Sequence, residues 1–147
     1  MKKIIVIGIG SRIMMDDGIG INLVEDLNKY IFNSNIEFII GESDFDYCNS
    51  IISEDDYLIV IDAYLSGKNA GEITIISLSD LNRSSDNRYS IHGMHFLQDK
   101  FDGILIGIEP HEINYGLCLS STLQNCYRGI YTSVYEQVKL FVEKNIC

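Results

Sequence analysis

The sequence predicts an α/β protein with a three-layer α/β/α arrangement, in which the sheet is mostly parallel and carries one antiparallel edge strand. Short runs of aliphatic residues, apolar on both faces, alternate with segments whose apolar residues recur at helical spacing. The 147 residues and the 46% hydrophobic content suit one domain, residues 1–147, which can bury most of its apolar surface in a single core.

The first predicted unit is a strand, a loop and a helix. Residues 4–7 form a β-branched run that ends at Gly8-Ile9-Gly10, a pattern typical of a buried parallel strand. Residues 11–18 are a predicted loop. A helix is predicted from Ile19, because apolar residues then recur on one face: Leu23, Val24, Leu27 and Ile31.

Two further apolar runs, residues 36–40 and 57–61, predict the next strands. The first run ends at Gly41 and the second at Asp62. A short helix is predicted between them, at residues 45–53. The resulting βαβαβ order implies a parallel sheet that is covered on both faces.

The second half of the chain begins with a turn-rich segment, residues 66–71, and a strand at residues 72–78 that we expect to return antiparallel at the sheet edge. Residues 81–89 are a predicted loop, residues 94–98 a short helix and residues 103–108 a strand. The last helix is predicted from about Ser121, with Ser120 or Ser121 as its cap. Its apolar stripe consists of Leu123, Tyr127, Ile130, Val134, Val138 and Phe141.

Charge and composition exclude several classes of function. The formal net charge of -10 disfavours binding to nucleic acid or to an anionic membrane surface. The four cysteines form no CxxC pair, which favours reduced thiols in the cytoplasm. The apolar run after Met1-Lys2-Lys3 is too short for a signal peptide, and no stretch approaches the roughly 20 apolar residues of a membrane span. We therefore expect a cytoplasmic protein. A monomer is our expectation for its oligomeric state, on which the sequence gives no signal.

Acidic and imidazole side chains follow the predicted strands. Asp16 and Asp17 come after the first strand, Asp62 ends the third, and His92 and His95 precede the strand at residues 103–108. Ligands of parallel α/β sheets bind beyond the carboxyl ends of the strands, where these side chains would meet. Carboxylates and an imidazole can hold a divalent ion such as Zn²⁺ or Ni²⁺ and leave one coordination position open.

Simpler roles compete with metal binding. Asp16 and Asp17 lie just ahead of a helix, where capping and the helix dipole favour carboxylates, and we expect one of the two to have that role. Asp62 directly follows a buried strand, which favours a functional role. Spacing alone leaves the roles of His92 and His95 undecided.

Two other kinds of site have weaker support. Gly8-Ile9-Gly10 suggests dinucleotide binding, but Ile13 stands where the third glycine of that fingerprint is required. A triad of Ser11, His92 and Asp62 can be written, but Ser11 lacks the G-x-S-x-G elbow that exposes such a nucleophile.

Five blocks, in order, resemble the hydrogenase maturation proteases. The first, residues 7–20, contains G-I-G-S and M-M-D-D-G-I-G, similar to the opening signature of that family. The others are I-V-I-D-A at residues 59–63, N-A-G-E-I at 69–73, S-I-H-G-M at 90–94, and G-I-E-P at 107–110 followed by Gly116-Leu117 and Leu119-Ser120. Together they cover most of the chain as one hydrogenase maturation protease-like domain.

This resemblance implies a processing endopeptidase that removes the C-terminal extension of a nickel hydrogenase large-subunit precursor after nickel insertion. The residues that would contact the metal are Asp17, Asp62 and His92, and nickel would be carried by the substrate, with Zn or Cd as possible replacements. Either Asp16 or Asp62 would activate water. Asp17 replaces the glutamate of some members, and Ser11 stands where the family usually has asparagine.

Two alternatives remain open from the sequence. One is a non-catalytic flavodoxin-like module that binds a small molecule or nucleotide, and the other is a chaperone-like protein that binds the large subunit without cutting it.

Overall fold

The computed structural model describes residues 2–83 and 101–146. Its strands, in chain order, are β1 (Ile4–Ile9), β2 (Ile36–Glu42), β3 (Tyr57–Ala63), β4 (Ile73–Ser77) and β5 (Asp102–Ile108). Its α-helices are α1 (Ile19–Tyr30), α2 (Phe45–Ile51), α3 (Leu78–Arg83) and α4 (Ser121–Ile146). A single 3₁₀ turn, Met15–Gly18, precedes α1.

The strands form one sheet in the order β2-β1-β3-β5-β4. β1 pairs in parallel with β2 and β3, and β3 pairs in parallel with β5. β4 lies at one edge and pairs antiparallel with β5. The predicted fold class, including the antiparallel edge strand, is confirmed.

Each face of the sheet carries its own hydrophobic core, because successive side chains of a strand point to opposite faces. On one face, Ile4 and Val6 of β1 pack with the buried residues of α1 and α4. On the other face, Ile5 and Ile7 pack with residues of α2 and α3, among them Cys48 and Leu78. Because helices cover both faces of the sheet, every residue of β1 is buried, and this explains why none of them is polar.

Helix α4 follows the predicted pattern. Leu123, Ile130, Val134 and Val138 are its buried residues. The Ser120 hydroxyl accepts a hydrogen bond from the Leu123 backbone N–H at 3.2 Å, so Ser120 is the predicted cap. Of the helices that the structure describes, none has the length and apolar content to cross a bilayer.

The structure corrects several predicted boundaries. Residues 81–83, predicted as loop, belong to α3, because Leu78 is fully buried and Leu81 packs against the same core one turn later. β2 continues through Gly41 to Glu42, and β3 continues through Asp62 to Ala63. The short helix predicted at residues 94–98 lies outside the described residues.

Candidate functional site

The carboxyl ends of β1, β3 and β5 lie at the same end of the sheet, which we call the rim. Two segments cover it, residues 10–18 after β1 and residues 109–120 after β5, and we call them the rim loops. The first turn of α1 also packs here, because Gly20 has no side chain: a Cβ atom at this position would collide with the carbonyl oxygens of Ile61 and Ile9. The absence of that side chain lets the helix approach the ends of β1 and β3.

Asp17 lies on the 3₁₀ turn of the first rim loop and is only 3% exposed. Its Oδ2 accepts a hydrogen bond from the Ser11 backbone N–H at 3.0 Å. Gly10 makes this turn possible, because its φ of +140° is unfavourable for other residues and a Cβ atom there would collide with the Asp17 carbonyl oxygen.

Ser11 stands where the similar family usually has asparagine, and its contacts show what this departure changes. Its backbone N–H, which any residue but proline would supply, binds Asp17. Its hydroxyl accepts from the Ile13 backbone N–H at 3.4 Å. The serine side chain is therefore not required for the contact between Ser11 and Asp17.

Asp62 is the next-to-last residue of β3 and is fully buried. Its Oδ1 accepts a hydrogen bond from the Ala63 backbone N–H at 2.8 Å. β3 occupies the middle of the sheet, and Asp62 pairs across the ladder with Gly107 of β5. The sheet therefore presents this carboxylate at the rim between β1 and β5.

Asp17 and Asp62 come to the same edge of the sheet from neighbouring strands. Gly8 of β1 pairs with Ile61, the residue before Asp62, and Asp17 binds the chain three residues beyond Gly8. The third predicted metal contact, His92, lies outside the described residues, as does His95. Within residues 2–83 and 101–146, no three His, Cys, Asp or Glu side chains are grouped so as to hold a metal ion.

Asp16 joins the two rim loops. It is fully buried, and its Oδ2 accepts from the His111 N–H at 2.9 Å, the Glu112 N–H at 2.8 Å and the Ser120 hydroxyl at 2.8 Å. Its Oδ1 accepts from the Ser120 N–H at 2.7 Å. One carboxylate thus binds four donors that lie about a hundred residues further along the chain.

The capping role that we expected for Asp16 or Asp17 is wrong. Helix α1 has Gly18 at its N-cap, and no side chain makes a cap hydrogen bond there. The donors that Asp16 satisfies belong to the second rim loop, and Asp17 accepts from the backbone of the first. The two carboxylates are therefore held by tertiary contacts that helix-capping rules do not describe.

Glu109 is a rim residue that the sequence analysis did not single out. It follows β5 and is 6% exposed, and its Oε1 accepts from the Ser66 N–H, the Ser66 hydroxyl and the Lys68 N–H at 2.7–3.0 Å. This carboxylate fixes the turn after β3 beside Asp62. The rule that selected Asp62, an acid directly after a buried strand, applies equally to Glu109.

The glycines after β1 serve packing within the protein. A Cβ atom at Gly8 would lie 2.8 Å from the Gly20 carbonyl oxygen of α1. The space that a pyrophosphate would need beside Gly8 and Gly10 is thus filled by the backbone of α1 and of the 3₁₀ turn. This arrangement disfavours the nucleotide-binding alternative.

Comparison with known protein families gives a match along most of the chain. The family model for hydrogenase maturation proteases matches residues 21–146. The hydrogenase expression/formation protein HoxM of Azotobacter vinelandii is 31% identical over 124 residues, which cover 76% of this chain and 59% of that protein. The hydrogenase 2 maturation protease of Escherichia coli strain K12 is 26% identical over 134 residues, which cover 83% of this chain and 82% of that protein. The matched part of the chain thus spans less than two thirds of the Azotobacter protein.

Solved structures share the fold. The hydrogenase maturating endopeptidase HybD from E. coli superposes with a TM-score of 0.79 at 24% identity, over 97% of this chain and 93% of that one. The [NiFe] hydrogenase maturation protease HycI from Thermococcus kodakarensis superposes with a TM-score of 0.68 at 18% identity, over 94% of this chain and 93% of that one.

Proposed function

Because the chain belongs to the hydrogenase maturation protease family, we propose that it is an endopeptidase that removes the C-terminal extension of a nickel hydrogenase large-subunit precursor after nickel insertion. The names of its relatives in Escherichia coli and Thermococcus support a processing protease. The proposal extends that activity to this chain and makes the precursor its substrate.

The observation that carries the proposal is the position of two buried carboxylates, Asp17 and Asp62, at the carboxyl ends of adjacent parallel strands. Carboxylates are ligands of divalent cations, and the carboxyl ends of parallel strands are where α/β sheets bind their ligands. We propose that these residues, together with His92, contact nickel that is already bound to the substrate. Zn²⁺ or Cd²⁺ could take the same position, because both accept carboxylate and imidazole ligands.

A metal ion carried by the substrate can promote peptide hydrolysis without a nucleophile from the protease, because it polarises the scissile carbonyl or lowers the pKa of a bound water. The sequence left Asp16 and Asp62 as alternatives for water activation. Asp16 accepts four hydrogen bonds and is fully buried between the rim loops, so it is poorly placed to take a proton. We therefore assign water activation to Asp62.

The proposed site makes activity depend on the state of the substrate. A precursor without nickel would lack the ion that Asp17, Asp62 and His92 contact, and would not be cut. We propose that the reaction takes place in the cytoplasm and that the protein acts as a monomer. The free thiols of Cys48, Cys118 and Cys126 are consistent with a reducing compartment.

The test replaces each proposed contact residue singly, as Asp17→Asn, Asp62→Asn and His92→Gln. Each substitution should lower the rate of trimming of a nickel-loaded precursor by about 100-fold or more, since loss of one ligand weakens both metal contact and activity. Trimming is measured by the change in gel mobility of the precursor, in parallel with a nickel-free sample that should remain uncut.

Asp102→Asn is the matched control, because Asp102 lies at the opposite end of β5 and its side chain makes an exposed ion pair with Lys2. It should cut at the wild-type rate. If any of the three site variants, folded to the same melting temperature, also cuts at the wild-type rate, the assigned site is wrong. A wild-type protein that binds the nickel-loaded precursor and leaves it uncut would instead support the chaperone-like alternative.

A further inference from the structure

Three large, exposed apolar side chains lie on adjoining stretches of the two rim loops, and we call them the apolar ridge. They are Ile13, Tyr115 and Leu117, which are 46%, 80% and 78% exposed. The Gly116 N–H donates to the Ile13 carbonyl at 2.9 Å, and the Met15 N–H donates to the Gly116 carbonyl at 3.1 Å. These bonds form a short parallel bridge that sets the first rim loop beside the second.

The apolar ridge stands on a rigid base. Beneath it, Asp16 binds the backbone of His111, Glu112 and Ser120, and the Asp16 N–H donates to the Glu112 carbonyl at 3.2 Å. A backbone that is already held in place loses little conformational entropy when a partner covers it. Large apolar side chains, tyrosine above all, that are exposed on such a backbone are typical of a protein interface.

The apolar ridge is directly linked to the proposed site. Ile13 precedes the 3₁₀ turn that carries Asp17, and Leu117 precedes Ser120, which binds Asp16. A macromolecule that presents a bond for cutting beside Asp17 and Asp62 would therefore cover the apolar ridge as well.

The charges around the apolar ridge indicate what kind of segment would bind. The only lysine or arginine in the two rim loops is Arg12, which pairs with Glu25 and Glu42. The acidic residues of the same loops are the buried Asp16, Asp17 and Glu109 and the exposed Glu112, so Glu112 is the one that places negative charge at the surface beside the ridge. An excess of negative charge beside an apolar surface favours a partner segment that is apolar and carries lysine or arginine.

We propose that the apolar ridge is the docking surface for the nickel-loaded large-subunit precursor, which it contacts through an apolar, basic segment near the scissile bond. The inference rests on the proposed function and adds to it the surface that determines affinity for the substrate. Ridge residues bind the precursor and take no part in the hydrolysis.

The experiment measures steady-state trimming of the nickel-loaded precursor by full-length Tyr115→Ser and Leu117→Ser. Each variant should raise KM by about 10-fold and leave kcat within about two-fold of wild type, as expected for removal of a binding contact at an interface. Because both side chains are largely exposed, the melting temperature should stay within about 2 °C of wild type. The KM of the wild type should also rise with added salt, since charge attraction contributes to binding.

Phe32→Ser is the matched control. Phe32 is 88% exposed and lies between α1 and β2, at the end of the sheet opposite to the rim. It should leave both KM and kcat unchanged.

The outcomes separate the inference from the proposed function. If the wild type trims and the ridge variants have the KM of Phe32→Ser, or if the wild-type KM does not change with salt, the docking surface is wrong and the protease assignment stands. The wild type could also form a dimer in sedimentation that Leu117→Ser dissociates into monomers without changing KM. In that case the ridge joins two copies of this chain, and the proposal is also overturned. If the wild type does not trim at all, the proposed function fails and the inference falls with it.

Discussion

Asp16 and Asp17 are neighbours in sequence and have different surroundings in the fold. The Asp16 carboxylate is enclosed by backbone and hydroxyl donors of the second rim loop, whereas Asp17 binds the backbone of its own loop at Ser11. The 3₁₀ turn separates the directions of the two side chains, with Met15 at a φ of +51° just before them. Two adjacent aspartates therefore have different roles: Asp16 holds the rim loops together, and Asp17 is proposed to contact the metal.

The first stability prediction concerns Asp16→Asn. An asparagine can offer only one carboxyl-like oxygen, so in either orientation its NH₂ group faces at least one buried donor that Asp16 now satisfies. The free energy of unfolding should fall by about 3 kcal/mol, the cost of losing charge-assisted bonds and leaving buried donors unpaired. Urea denaturation monitored by circular dichroism measures the change.

The control for this change is Asp44→Asn. Asp44 is exposed and caps α2 by accepting from the Tyr47 N–H at 3.0 Å. Asparagine caps helices as well as aspartate does, so the loss should stay below about 0.5 kcal/mol. Equal losses at positions 16 and 44 would show that the bonds of Asp16 do not hold the rim loops together.

At the scale of elements, α1 and α4 both begin at the rim and pack on the same face of the sheet. The Tyr127 hydroxyl of α4 donates to Asp26 Oδ2 of α1, a polar contact beside the apolar core that the two helices share. Burial, reinforced by the hydrogen bond to Asp26, raises the pKa of the Tyr127 phenol above its ordinary value. The phenol is therefore a neutral donor at physiological pH.

Tyr127→Phe should lower the free energy of unfolding by about 1.5 kcal/mol, because it removes the hydroxyl that donates to Oδ2 of the partly buried Asp26. A raised pKa in the folded state stabilises the protonated form, so this contribution is complete below the ordinary pKa of 10.0 and is lost as the pH rises above it. Urea titrations at neutral and at alkaline pH measure both effects.

The comparison with Asp26→Ala decides whether the two residues act as a pair. The double variant should cost less than the sum of the two single variants, because each single change already breaks the same bond. Additive losses, or a Tyr127→Phe effect that persists unchanged at alkaline pH, would contradict the assignment.

Elements whose pattern is local were predictable from sequence. The strands β1, β3 and β5, the helices α1 and α4, and the antiparallel edge strand follow from apolar runs and helical spacing. The bonds of the rim were not predictable, because Asp16 and Ser120 are 104 positions apart and neither residue type signals the other. Strand-end rules selected Asp62 and would also have selected Glu109, whose role in holding the turn at Ser66 depends on long-range contacts.

At the scale of the whole molecule, the central strands couple two cores that do not touch each other. In β3, Ile59 faces α1 and α4, whereas Val60 faces the side of α2 and α3. The same backbone hydrogen bonds hold both side chains in place, between β1 on one side and β5 on the other. Loss of either core therefore removes the support of the other, and we expect the described layers to unfold as one unit.

The final prediction tests this coupling with two probes on opposite faces. Because the chain has no tryptophan, near-UV circular dichroism reports mainly the α4 face, which holds Tyr57, Tyr127, Tyr131 and Tyr135, whereas the other core holds Tyr64. Alkylation of Cys48, read by mass spectrometry, reports the other face, because the thiol is buried and its pKa is raised to about 11 by desolvation, so it reacts only after unfolding.

The urea midpoints from the two probes should coincide in the wild type. Ile59→Ala should lower the free energy of unfolding by about 3 kcal/mol and Val60→Ala by about 2 kcal/mol, and in each variant the two midpoints should fall together. Midpoints that separate in either variant would mean that the two cores unfold independently and that the shared strands do not couple them.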